Sequence, residues 1–319
     1  MLKKSLILVG LLIFVSTVFA QSVDEVGAKY NEGNESYNAK DYAQAIDAYQ
    51  AGLEMAKEVG MDADDLKASI EKQLGNAYYK NGITLYKAKD LDGSLAVLDK
   101  GYAFVKEIGN SKSEKKYVSV IAQVRSKKGD ALRKEKKLDE AYAEYQLALD
   151  VKPSCVKAFY GQGMVYKTKG DMEKMMEKMD KVIENGEGNS KAAKTVAAAK
   201  TTAAKSLYNA ALSALQENQA DKAIKYLNDS FKYEEGNADA FYYLAVSYNK
   251  TKKWADALKS AEKALTLKEG DKSDIYFEQG QAFEGNGDAT NACSAYKKVT
   301  AGANVESAKY KITQTLKCG

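Results

Sequence analysis

The 319-residue chain contains no histidine, one proline, one tryptophan, three cysteines and only two arginines, Arg125 and Arg133. Each scarcity excludes something. Without histidine there is no Ser-His-Asp or Cys-His catalysis and no imidazole ligand for zinc. Three cysteines cannot form a four-thiolate metal site. Proline far below its usual ~5% points to short turns and a mostly helical chain. Arginine is the preferred reader of phosphates and base edges, so a dedicated nucleic-acid-binding protein is not expected. What is present is a 45% hydrophobic fraction, enough for packed cores, together with 22 tyrosines and 48 basic against 44 acidic residues.

The first twenty residues carry Lys3 and Lys4, then an uncharged run from Leu6 to Ala20, with Val18 and Ala20 at the small-residue positions of a cleavage site. That is the pattern of a secretory signal peptide over residues 1–20, leaving a mature chain of net charge +2 that begins at Gln21. The competing reading is an uncleaved N-terminal anchor. No cysteine stands near the cut, so lipoprotein attachment is not supported, and no second long apolar run predicts a membrane span in the mature chain. Export implies the periplasm or the cell exterior, where thiols can oxidise.

The remainder repeats. Ala122–Pro153 is followed by Val156–Glu187 with Gly129 and Gly163 34 residues apart, and Ala211, Ala223, Leu227 and Ser230 recur 34 residues later as Ala245, Ala257, Ala261 and Ala264. This period and these residues resemble the tetratricopeptide repeat, a helix-turn-helix unit. The segment Phe241–Tyr248 followed by Trp254, Ala257, Ala261, Ala264 and Leu265 matches the pattern best. Other copies run through Gly33, Tyr37, Ala45 and Tyr49, through Gly82, Tyr86, Ser94 and Leu98, and through Gly280, Phe283, Ala292 and Tyr296. Seven units start near Val26, Gly75, Ala122, Val156, Ala204, Ala238 and Ser273, and the resemblance covers nearly all of residues 21–319. Only Pro153 fills the closing proline of the pattern, and no copy has tryptophan at the bulky early position. The resemblance implies an all-α fold: a right-handed superhelical solenoid of about fifteen helices with a C-terminal capping helix over residues 304–317.

Three unit spacings are longer than the repeat, through Met55–Leu74, Phe104–Ile121 and Gly188–Ala203. They keep the helical pattern and predict two extra turns on each of two adjacent helices, with Thr201-Thr202 the weakest point of the third. Gly33, Gly129, Gly163, Ala45, Ala141 and Ala257 predict close helix crossings. Tyr49, Leu98, Tyr145 and Leu227 are expected to fill space toward the next unit. Gly170-Asp171 and Lys89-Asp90 read as a helix stop followed by a helix start.

In this family the first helices line a concave groove, with one position per unit pointing into it. Read through the seven units, that position holds Tyr30, Tyr79, Ser126, Tyr160, Tyr208, Tyr242 and Phe277. The six aromatic residues are the candidate partner-binding row, suited to an extended peptide or a partner helix, because tyrosine offers flat apolar area with a polar tip. Packing between helices explains the same residues, so both roles stay open. The family's carboxylate clamp is not expected, since tyrosine replaces its first lysine. Residues 111–137 hold ten bases and three acids, against three bases and eleven acids in residues 21–65. The basic segment could steer an acidic partner or meet anionic lipid, or be a solvated helix face.

No catalytic residue, cofactor site or metal site is expected. Asp64-Asp65 and Glu234-Glu235 suit helix starts, and Met172, Met175, Met176 and Met179 have the spacing of core packing. Antiparallel helices in the last unit would bring Cys293 and Cys318 together for a disulfide, leaving Cys155 free. The function expected is an exported, non-catalytic scaffold that binds other proteins or peptides. The alternatives are a small-ligand or glycan receptor, or an enzyme on the same frame, and a spacer or self-assembling subunit.

Overall fold

The computed structural model describes residues 22–318. The expected signal peptide lies outside them. Fifteen α-helices follow one another, with no strand among the described residues. They are α1 (Val23–Asn38), α2 (Tyr42–Val59), α3 (Asp64–Lys87), α4 (Leu91–Glu107), α5 (Ser111–Lys134), α6 (Leu138–Val151), α7 (Val156–Lys169) and α8 (Met172–Gly186). Then come α9 (Ala193–Gln216), α10 (Ala220–Ser230), α11 (Ala238–Lys250), α12 (Trp254–Leu267), α13 (Ser273–Gly285), α14 (Ala289–Tyr296) and α15 (Val305–Tyr310). The chain divides into two compact units, one ending at Val124 and the other beginning at Arg125. In each, successive helices pack as hairpins whose neighbours share a core. No helix of the described residues is long and apolar enough to cross a membrane.

One turn geometry recurs between the two helices of all seven hairpins. Lys40, Lys89, Lys136, Gly170, Asn218, Lys252 and Gly287 all have left-handed backbones, with φ between 58° and 81°. The residue after each returns its N–H to a carbonyl five residues earlier, as from Asp41 to Ser36 and from Asp288 to Phe283, both at 2.9 Å. That closes the first helix as a Schellman motif. The same residue then starts the second helix. Asp41, Asp90, Asp171 and Asp288 each accept a hydrogen bond from the N–H three residues on, satisfying a donor the helix leaves over. Lys137, Gln219 and Lys253 hold the place without such a bond. Gln219 has φ −95° and ψ 62°, close to the capping aspartates. Gln219→Asp is therefore expected to stabilise the protein by about 1 kcal/mol, read as a higher urea midpoint.

The hairpins close on a knob and a notch sixteen residues apart. Tyr49 lies on Gly33, Leu98 on Gly82, Tyr145 on Gly129, Met179 on Gly163 and Tyr296 on Gly280. A Cβ at each of these glycines would sit 2.4 to 2.8 Å from the opposing side chain. Ala211 with Leu227 and Ala245 with Ala261 hold the same positions. Tyr49 and Leu98, expected to fill space toward the next unit, each fill the notch of their own hairpin. Tyr145 does both, since its ring also lies over Gly161 of the next hairpin.

The long spacings are also built differently from expectation. Helices α3, α5 and α9 have 24 residues each, against 14 in α7 and 13 in α11 and α13. The helices before them grow less: α2 has 18, α4 17 and α8 15, against 14 in α6 and α12. The added length is therefore nearly three turns on the following helix and at most about one on the preceding helix. The early turns of the long helices find apolar partners: Ile70 packs over Gly52, Tyr117 over Gly101 and Val196 over Gly186. Helix α9 runs unbroken through Thr201-Thr202 because Ala199, Ala203 and Leu207 bury one face against Met175, Met179 and Val182.

The cap departs from the expected helix over 304–317. Regular α-helix ends at Tyr310 and gives way to a π-helical turn over Lys311–Thr315. The wider turn keeps Ala308, Ile312 and Leu316 on one core with Phe277, Tyr296 and Val299. It also brings Cys318 to Cys293, to which it is joined by a disulfide with Cα atoms 5.8 Å apart. Lys311 Nζ donates to Glu284 Oε1 at 2.8 Å, which ties the cap to α13.

Candidate functional site

In the unit ending at Val124, Tyr30 and Tyr79 are half-buried. Tyr30 tilts against Tyr49, with ring centroids 6.2 Å apart, and Tyr79 meets Tyr117 edge-on at 5.5 Å. Tyr117 was not singled out from the sequence. It is buried over Gly101 and donates its hydroxyl to the Gly75 carbonyl at 2.7 Å, and burial pushes its pKa well above the tyrosine range. Tyr79 opens onto a cleft of about 390 Å³ shared with Ile83, Tyr86, Lys115, Lys116, Ser119, Val120 and Gln123. Gln123 Nε2 donates to the Tyr86 hydroxyl at 3.2 Å. Lys115 and Lys116 are exposed, so this cleft has an apolar floor, polar walls and a positive rim.

In the unit beginning at Arg125 the row is less uniform. Ser126 is buried, with its Oγ 3.6 Å from the Cys155 sulfur. Phe277 is buried too and packs on Tyr296 at 5.6 Å within the terminal core, so it offers no open ring face. Tyr160, Tyr208 and Tyr242 are half-buried. Each leans on a different core: Tyr160 on the Met175/Met179 cluster, Tyr208 on the Ala211/Leu227 cluster and Tyr242 on the Ala245/Ile275 cluster. The Tyr160 hydroxyl also lies 3.2 Å from Thr202 Oγ1, tying α7 to α9. These tyrosines therefore pack on one side and remain partly open on the other.

Two of them converge. Tyr208 from α9 and Tyr242 and Tyr243 from α11 wall a cleft of about 450 Å³ with Asp239, Lys268, Asp271, Lys272, Asp274 and Ile275. Tyr243 meets Tyr208 at 6.0 Å and Tyr242 at 4.8 Å, both edge-on. Burial and nearby charge push Tyr208 up to about 12, so its hydroxyl stays protonated. The Tyr242 hydroxyl is raised further, by burial first and then by the carboxylates of Glu278 and Asp274. Ser273 supplies two hydrogen bonds to Asp271, at 3.0 Å from its N–H and 2.7 Å from its hydroxyl, which hold that carboxyl below its usual range.

Glu278 lies behind this wall, buried, and accepts from Asn249 Nδ2 at 2.8 Å. Burial raises its carboxyl above the ordinary carboxylate range, against smaller opposing effects of Asn249 and Lys250. The folded chain thus holds this proton more tightly than the unfolded chain. Stability falls as pH rises from the ordinary carboxylate value through the raised one. Glu278→Gln is expected to raise the urea midpoint at pH values above the raised carboxyl and to flatten the part of the profile that lies between the ordinary carboxylate value and the raised one. The spacing in the sequence carried no signal for this pair, which joins residues 29 apart on different hairpins.

The described residues place no group of three or more Cys, Asp or Glu where they could hold a metal ion. A sequence profile of the tetratricopeptide repeat matches residues 208–272, and a second profile of the same repeat matches residues 122–155 and 156–185. The chain carries tetratricopeptide repeats over these residues. As a tetratricopeptide repeat protein it has the architecture of a protein-interaction scaffold, and both open clefts are made by helices of its repeats. No curated protein sequence matches the chain.

Among solved structures it is similar to the MamA protein, at 21% identity over 61% of this chain and 96% of that one, with a TM-score of 0.35. It is similar to the P58(IPK) TPR domain, at 13% identity over 91% and 99% of the two chains, TM-score 0.33. A tetratricopeptide repeat protein from Parabacteroides merdae ATCC 43184 shares 16% identity over 90% and 96%, TM-score 0.28. Likenesses this distant say nothing about ligands.

Proposed function

We propose that this protein is an exported, non-catalytic scaffold that binds an extended peptide or a helix of a partner protein along its tyrosine row. The observation that carries the reading is the half-open state of that row. Tyr160, Tyr208 and Tyr242 are each anchored on a hydrophobic core yet leave part of the ring uncovered. Rigid aromatic faces of this kind contribute contact area at low entropic cost. The Lys115/Lys116 rim of the other cleft suits an acidic segment of a partner. Export is supported by the leader pattern of residues 1–20 and by the Cys293–Cys318 disulfide, a bond that persists in oxidising compartments.

The test is crosslinking in the intact cell envelope, with captured proteins compared between the natural chain and the Tyr160→Ala/Tyr208→Ala/Tyr242→Ala variant. Loss of captured partners by a variant that keeps its helical circular dichroism supports the reading. A folded variant that captures the same set overturns it. N-terminal sequencing of the cell-derived protein addresses export: the reading expects a start at Gln21 in the soluble envelope fraction, and an intact N-terminus in the cytoplasmic fraction would reject it.

A further inference from the structure

Among the buried polar groups, Asn249 of α11 and Glu278 of α13 form a pair that is one hydrogen short. They are 7% and 8% exposed. Asn249 Nδ2 directs both its hydrogens at Glu278, one to the backbone carbonyl at 2.9 Å and one to the side-chain Oε2 at 2.8 Å. A backbone carbonyl only accepts, so it fixes which way the amide points. Asn249 Oδ1 is then left buried with no donor, and a buried acceptor without a donor is costly. The Glu278 side chain has the Asn249 amide as its one bonded partner among the described residues. Few charges act on it. Burial disfavours its ionised form first, Lys250 on α11 favours that form, and Asp274, one turn back on α13, opposes it. Tyr242 of α11 and Tyr296 of α14 also face Glu278, and burial keeps both hydroxyls protonated. On α12 the ionisable residues Asp256, Lys259, Glu262 and Lys263 are exposed.

We infer that Glu278 carries its proton in the folded chain and shares it with Asn249, and that the pair is a proton-linked latch between α11 and α13. The carboxyl O–H donates to Asn249 Oδ1 while the other carboxyl oxygen accepts from Nδ2, so acid and amide satisfy each other. A carboxyl kept neutral by burial is able to donate in this way. When the proton leaves to solvent, the O–H···O bond is lost, Oδ1 again has no donor, and a full charge stands where water does not reach. The carboxylate regains water only if α13 moves off α11, so the terminal hairpin and its cap open. The closed form binds the proton and the open form releases it. The latch therefore holds fully below the ordinary carboxylate value and loses its grip as pH rises from there through the raised value. Tyr242 and Ile275, which line one cleft, stand on the two helices it joins. A link from the latch to partner binding rests on the tyrosine-row reading; the latch itself does not.

The experiment uses the full mature chain with carbon-13 at the glutamate carboxyls. NMR follows their signals from acid to mildly alkaline pH, with Glu278 assigned by through-bond correlation to its own backbone. Its carboxyl is expected to titrate after those of the exposed glutamates. Over the same range amide exchange is measured and corrected for its intrinsic pH dependence. Exchange in α13–α15 should speed up by as much as about tenfold per pH unit between the ordinary and the raised carboxylate values, while α1–α4 stay level. Glu278→Gln keeps an N–H for Asn249 Oδ1 and an acceptor for Nδ2, so its α13–α15 should lose that pH dependence. Glu278→Met fills similar space but pairs with nothing, and its α13–α15 should exchange about tenfold faster than in the Gln variant. A Glu278 carboxyl that titrates with the exposed glutamates overturns the proposal. So does exchange in α13–α15 that ignores its titration, or a Met variant as well protected as the Gln variant. The natural chain decides the first two even where a variant fails to fold. None of these measurements reads partner capture, so a failed latch leaves the tyrosine-row reading standing, and a failed crosslinking test leaves the latch standing.

Discussion

Tyr145→Ala should destabilise the protein by about 3–5 kcal/mol, the range seen when a buried aromatic is cut to a methyl group. Tyr145 has no exposed surface and is held on two sides by bare backbone. A Cβ at Gly129 would lie 2.7 Å from its ring and one at Gly161 would lie 2.2 Å from it. No neighbouring side chain stands between the ring and either glycine, so alanine would leave a void the hairpins cannot easily close. The ring also bridges α5, α6 and α7, so its loss loosens two interfaces together.

The hydroxyl adds a smaller part: it donates to Asp130 Oδ1 at 2.8 Å. Tyr145→Phe should therefore cost only about 1 kcal/mol. Gly161→Ala adds a methyl where none fits and should cost about 1–3 kcal/mol. Urea unfolding of the three variants, followed by circular dichroism, gives the order Ala, then Gly161→Ala, then Phe. A Tyr145→Ala variant as stable as Tyr145→Phe would show that the ring is not the knob described here. Repeat proteins open locally, so hydrogen exchange should place the loss in α5–α7.

Reduction of the Cys293–Cys318 bond is the second large effect. The bond closes a loop with a sequence separation of 25 residues. By loop-closure entropy it contributes on the order of 3 kcal/mol to the stability of the terminal hairpin and cap. The cap needs this support. Helix α15 has six residues, and the π-helical turn beyond it has no buried residue of its own. Short isolated helices do not persist in water. The reduced protein, and the Cys293→Ser/Cys318→Ser variant, should lose exchange protection over residues 305–318 while α5–α12 keep theirs. Cys155 is buried and not part of the bond, so thiol exchange with it should be slow. Protein purified from cells without reductant should show one free thiol per chain by mass spectrometry; three free thiols would remove the basis of the expectation.

Much of this fold is written locally. A turn residue at positive φ followed by a capping aspartate needs only a few neighbouring residues, so Gly170-Asp171 and Lys89-Asp90 marked helix boundaries without tertiary information. The 34-residue recurrence marked the hairpins for the same reason: each unit must hide the same stripe, so it repeats the same small and large residues. What the row of first-helix positions does was not legible. Tyr242 and Phe277 occupy equivalent positions, yet Tyr242 walls an open cleft and Phe277 is covered by Val299, Ile312 and Leu316.

The chain sequence by itself determined which segments are helices, where each hairpin turns and which residues face inward, because propensity, capping and periodicity act over a few residues. The tertiary structure alone decided which tyrosines keep an open face, how far α3, α5 and α9 extend, and that Glu278 is buried beside Asn249. Those outcomes depend on the size and polarity of side chains contributed by other hairpins, and no spacing along one segment encodes what a distant segment places against it.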